Sequence, residues 1–142
     1  MKAKALHQAI YSRLNNASVT GLLSTKYAPL VAIFSSVPQA ANSGDDSYFP
    51  FMTIGNNVLS PYDVKDSVGG NASVQVDIWA RGRSMLEIKE IADAVDERLR
   101  RQPLTITGAT HITTELRDSQ DMDDPDGKTL RIMLRYTVLW LT

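Results

Sequence analysis

Asp121-Met-Asp-Asp-Pro-Asp-Gly127 is the densest run of ligating groups in this chain. Carboxylate oxygens at such spacing invite a calcium reading. Laying Asp124, Asp126 and Gly127 on the third, fifth and sixth positions of a helix–loop–helix calcium loop puts Met122 first and Met133 last. Both of those positions need carboxylates. The flanking residues also read as strands instead of helices. Asp121, Asp123, Asp124 and Asp126 are therefore expected on a solvated acidic hairpin tip that holds no metal.

Other chemistry finds even less support. His7 and His111 are the two histidines, and neither has the spacing of a metal site or a triad. No Gly-x-Ser-x-Gly elbow is present. Gly44 and Gly69-Gly70 lack the Lys-Ser/Thr or the third glycine that a phosphate loop requires. The chain has no cysteine, which removes thiol nucleophiles, thiolate metal sites and disulfides together. No cofactor and no enzymatic activity are expected.

Binding surfaces come next. Arg81, Arg83, Arg98, Arg100 and Arg101 are interleaved with acids. The last three sit at the end of an expected helix, where cations suit the dipole. There Asp96–Arg100 and Glu97–Arg101 are i, i+4 pairs. The net charge of −1 gives no field that would draw the chain to nucleic acid or to an acidic membrane. No apolar run approaches the roughly 18 residues of a membrane span. The first residues lack the apolar stretch of a signal peptide, so a soluble intracellular chain is expected. Trp79 points away from the Val74/Val76/Ile78 face, which leaves it either covered by a second layer or available to a partner.

The elements that must carry these residues follow from periodicity. Leu6, Ala9, Ile10 and Leu14 predict a helix over about residues 3–15, and Ser18 or Thr20 could cap a short turn containing Leu22 and Leu23. Leu30–Phe34 and Phe49–Ile54 read as strands on either side of a Ser- and Asn-rich loop, Ser35–Tyr48. Leu59–Ala72 reads as a long polar hairpin tip in which Gly69-Gly-Asn71 can supply positive φ. Ser73–Arg81 alternates as a strand. Ser84-Met-Leu-Glu87 is a capping box for a helix with Met85, Ile88, Ile91, Ala92, Val95 and Leu99 on one side, ended by Gln102-Pro103. Leu104–Ile106 and Ala109–Arg117 read as strands, Asp118–Lys128 as loop, and Leu130 to Trp140 as a final alternating strand. The 142 residues make one domain, 1–142. The expected fold is α+β: a mostly antiparallel sheet, two main helices on one face, and long hairpin loops. Three connections of about a dozen residues in so small a domain suggest arms that contact other chains.

This plan resembles the tail terminator family of long-tailed phages, prophages and gene transfer agents, also called tail completion or tail-to-head joining proteins. The matching pieces are Leu6-His-Gln-Ala-Ile-Tyr-Ser-Arg-Leu14, Phe49-Pro-Phe-Met-Thr-Ile-Gly55, Val76-Asp-Ile-Trp-Ala-Arg81 leading into Ile88–Leu99, Leu104–Ile112, and the last strand. Phe51 stands where the family usually has Tyr, and the acidic Asp121–Asp126 run is no part of the pattern.

The resemblance implies a virion protein, assembled in the host cytoplasm, that forms a homo-oligomeric ring, typically hexameric, at the head-proximal end of the tail tube. Its partners would be copies of itself, the tail tube protein and the head–tail connector, with DNA passing through unread. On that reading Tyr62, Asp63, Lys65, Asp66 and Trp79 are expected to contact partners, and the four aspartates to face the lumen or an axial partner. A head-completion or minor tail protein is the nearest alternative. A small enzyme or ligand-binding domain with a pocket under Trp79 is an alternative of another class.

Overall fold

A computed structural model describes residues 2–142, apart from the side chain of Asn56. The chain runs α1 (Ala3–Leu14), α2 (Ala17–Thr20), β1 (Ile33–Phe34), two 3-10 turns (Gln39–Asn42 and Asp46–Tyr48), β2 (Phe51–Pro61), β3 (Gly69–Arg81), α3 (Met85–Leu99), β4 (Thr110–Asp123) and β5 (Thr129–Leu141). The five strands form one sheet in the order β1-β2-β3-β5-β4. Only the two-residue β1 runs parallel to its neighbour; every other pairing is antiparallel.

The pleat decides which face is buried. Val74, Val76 and Ile78 on β3 lie opposite Tyr136, Leu134 and Ile132 on β5, and all six are buried. On α1 the buried residues are Leu6, Ala9, Ile10 and Leu14; on α3 they are Ile88, Ile91, Ala92, Val95 and Leu99. Both helices lay these stripes on the same sheet face and touch each other. Each large aliphatic side chain so buried contributes on the order of 1.5–3 kcal/mol. The expected α+β architecture with two main helices on one face of a mostly antiparallel sheet is what the chain adopts.

Several boundaries differ from the sequence reading, each for a local reason. Asn16, not Ser18 or Thr20, caps the second helix, its side chain accepting from the Ser18 N–H at 3.0 Å. Leu30 is exposed and the strand after it shrinks to Ile33–Phe34. Leu104–Ile106 forms no strand. Its anchor is the His111 ring, whose Nδ1 accepts from the Leu104 N–H at 3.3 Å.

The third helix ends at Leu99, three residues before Gln102-Pro103. Arg101 takes φ +54°, and its N–H donates to the Thr114 carbonyl of β4 at 2.8 Å. Out of the helix, Arg101 cannot form the expected pair with Glu97 and meets Glu115 at 3.2 Å instead. Arg100 does pair with Asp96, at 2.8 Å.

The largest correction concerns the connections. β2 extends to Pro61 and β3 begins at Gly69, so the arm of Leu59–Ala72 contracts to residues 62–68. Gly69 and Gly70 are strand residues without positive φ. They are needed because a Cβ on Gly70 would lie 2.1 Å from the Trp140 ring, and one on Gly69 would meet the Trp140 carbonyl at 2.6 Å. Most of Asp118–Lys128 is likewise strand, leaving residues 124–128 as the turn.

Candidate assembly surface

The β2–β3 hairpin extends past the end of the sheet and carries the largest local concentration of exposed apolar side chains. A bulge between Gly55 and Val58 shifts the pleat of β2, and Val58 emerges 64% exposed. Beyond Pro61 the loop exposes Tyr62, Val64 and Val68. The loop is closed by backbone bonds, Tyr62 N–H to Gly69 O at 3.0 Å and Val64 N–H to Ser67 O at 2.9 Å. Asp63 Oδ1 accepts from the Gly69 N–H at 3.3 Å, while Lys65 and Asp66 stand in solvent. Thr142 ties the loop to the end of β5 through its N–H to Val68 O at 2.7 Å. Clustered exposed apolar side chains on a small domain mark a surface that meets something else. The sequence points to this arm by the length and polarity of the Leu59–Ala72 connection. The valines at 58, 64 and 68 are the stronger signal, and they lie scattered in a segment that reads as polar.

The β4–β5 turn is built differently. Asp126 Oδ1 accepts from the N–H groups of Lys128 and Thr129, each at 2.9 Å, and Oδ2 accepts from the Thr129 hydroxyl at 2.6 Å. Arg81 reaches the same carboxylate at 3.4 Å. Those bonds hold the Asp126 carboxyl below the usual carboxylate range, the Thr129 hydroxyl contributing most. Gly127 takes φ +74°, the left-handed position that the Pro-Asp-Gly sequence implies. Asp121 lies on β4 and pairs with Lys89 of α3 at 3.1 Å. The four aspartates thus divide: Asp126 shapes the turn, Asp121 faces a helix, and only Asp123 and Asp124 lack a side-chain partner among the described residues. No group of three or more His, Asp or Glu suited to a metal occurs among the described residues.

Trp79 sits half-buried on the sheet face opposite the helices. Its ring stacks on Phe51 at 6.2 Å, and the Arg131 guanidinium lies 4.6 Å over it. Its Nε1–H donates to Thr53 Oγ1 at 3.1 Å. Arg131 in turn bonds buried Asp77 at 3.1 Å, and Gln75 donates to the same carboxylate. The second layer over Trp79 is therefore an ion pair and its own neighbours, which fill the space expected of a pocket. His111 is equally committed. With Nδ1 accepting from Leu104, the proton rests on Nε2, which donates to Thr114 Oγ1 at 2.7 Å. Burial pushes its pKa down.

One further feature escapes sequence reasoning because its partners are 85 residues apart. Arg13 Nε donates to the Arg98 carbonyl at 2.7 Å, and Arg98 Nε donates to the Arg13 carbonyl at 3.0 Å. Each arginine caps the last turn of the other's helix. Burial, then the Arg98 charge, lowers the Arg13 pKa. Neither guanidinium has a carboxylate within 4 Å among the described residues. They lie in an open groove of about 700 Å³ between α1 and residues 103–107.

Comparison with known proteins agrees with this picture of surfaces without a catalytic centre. The family model for tail completion protein gp17 matches residues 8–140. Tail completion protein gp17 of Bacillus phage SPP1 is 31% identical over 127 residues, 88% of this chain and 91% of that protein. A chain in the virion of a native gene transfer agent particle shares the fold, with a TM-score of 0.82 at 18% identity over 99% of this chain and 98% of that one. A further solved chain aligns with a TM-score of 0.55 at 13% identity over 97% and 96%. The sequence relatives are named for completing a tail, a structural task, and not for catalysis. The match spans all but a few residues at each end, and this chain belongs to the tail completion protein gp17 family.

Proposed function

We propose that this protein forms a ring, typically hexameric, on the head-proximal end of the tail tube, where it stops tube growth and joins the tail to the head connector. The family match over residues 8–140 carries this reading. Physical features support it. Identical subunits that meet through a heterologous interface close into a ring when the rotation closes. The arm at residues 62–68 presents Tyr62, Asp63, Lys65 and Asp66 to partners, and Trp79 with Arg131 offers a secondary contact. Of the four aspartates, Asp123 and Asp124, which have no side-chain partner among the described residues, face the lumen or an axial partner, while Asp121 and Asp126 hold the strand and turn that carry them. A nearly neutral chain with acidic groups there lets DNA slide past without binding.

Electron microscopy of tails assembled with and without this chain tests the proposal. Overlong tubes in its absence establish termination. Tubes of unchanged length that merely lack heads would instead favour a head-completion or minor tail role.

A further inference from the structure

The exposed arm and the cationic groove are unlike surfaces on one chain, and they complement each other. Residues 62–68 present Tyr62, Val64 and Val68 around the carboxylates of Asp63 and Asp66, against the single cation Lys65. The groove combines apolar walls, including Ala5, Tyr11 and Pro103, with the paired guanidiniums of Arg13 and Arg98. None of the arm residues lines the groove of the same chain. The Nε of each arginine is spent on a carbonyl and one Arg13 terminal nitrogen on Gln102 at 3.2 Å. Among the described residues, no partner takes the remaining terminal N–H groups, which are left to donate. Two cations held together by reciprocal caps repel each other, and an arriving carboxylate relieves that repulsion.

We infer that the arm of one copy seats in the groove of the next, Asp66 reaching the Arg13–Arg98 pair while Tyr62 and Val64 cover the apolar wall. The occupant is a second copy because the chain itself supplies both the acidic apolar tip and the cationic apolar cleft. Such a contact is heterologous, so it propagates around an axis. This inference rests on the ring reading above.

Site-directed disulfides test it, since the native chain has no cysteine. Lys65 lies exposed on the arm and makes none of the inferred contacts, and exposed Ser12 lies on the groove wall. Particles assembled with the full chain carrying Lys65→Cys and Ser12→Cys, then oxidised, are expected to give a ladder of crosslinked copies ending at the ring number. A control pair, Lys65→Cys with Ser43→Cys, which follows the first 3-10 turn and does not line the groove, gives none. Adding Val64→Asp to the first pair is expected to abolish most of the ladder.

If microscopy shows rings and the first pair stays uncrosslinked, the arm-in-groove contact is wrong and the ring stands. If no ring is present at all, both fall.

Discussion

Two hairpins of this sheet use their side chains in opposite ways. The β4–β5 turn directs its central carboxylate inward: Asp126 takes bonds from Lys128, Thr129 and Arg81. The β2–β3 loop is closed mainly by backbone, with Asp63 its one internal side-chain bond, and turns Tyr62, Val64 and Val68 outward. One hairpin is occupied in holding its own shape. The other holds apolar surface in water, which is unfavourable until a partner covers it. A loop therefore cannot be judged functional by its polarity. What separates these two is whether their side chains are already bonded within the chain.

Substitutions sharpen that contrast. The largest stability effect is expected at the base of the outward hairpin, where a Gly70 side chain would clash with the Trp140 ring. Gly70→Val should lower the unfolding free energy by about 3 kcal/mol, the upper range for overpacking, read from the urea midpoint. An unchanged midpoint would show that the ring can move aside.

A pH-dependent effect follows at the inward hairpin. The folded carboxyl of Asp126 has a pKa below its ordinary 3.8. Its charged form therefore adds stability in full above that value and loses it as pH falls through the folded value. Asp126→Asn should flatten the acid limb of the stability curve below about pH 4. Parallel acid limbs for the two proteins would contradict the bonding described.

The smallest effect belongs to the lone side-chain bond of the outward loop. Asp63→Ala should change stability by no more than about 0.5 kcal/mol, as for other exposed positions. A much larger loss would mean that this loop is braced like the other.

The regular elements were legible because their signals are local. The α1 stripe, the Ser84 cap and the alternation of β3 and β5 all report contacts within a few residues. What failed was decided at long range. Gly69 and Gly70 read as turn glycines, yet the side chain that excludes a Cβ there is Trp140, about 70 residues away. Sequence alone ends β4 at Arg117, because charged Asp118 and Asp121 read as loop, whereas the strand runs to Asp123. At a sheet edge they sit in solvent and pair with Arg135 and Lys89. The aspartates were visible as a cluster, but nothing in sequence tells which carboxylate is spent. Arg13 and Arg98 gave no sign of meeting.

The outward hairpin as working surface is tested most directly by shortening it. Asp63–Val68 can be replaced with Asn-Gly, leaving Tyr62 and Gly69 to close the strands through their 3.0 Å bond. The measurement is the fraction of heads joined to tails by the shortened chain, with its circular dichroism and urea midpoint taken alongside. The account predicts a folded subunit of nearly native midpoint that fails to join. A folded subunit that joins heads to tails as well as the intact chain would contradict it.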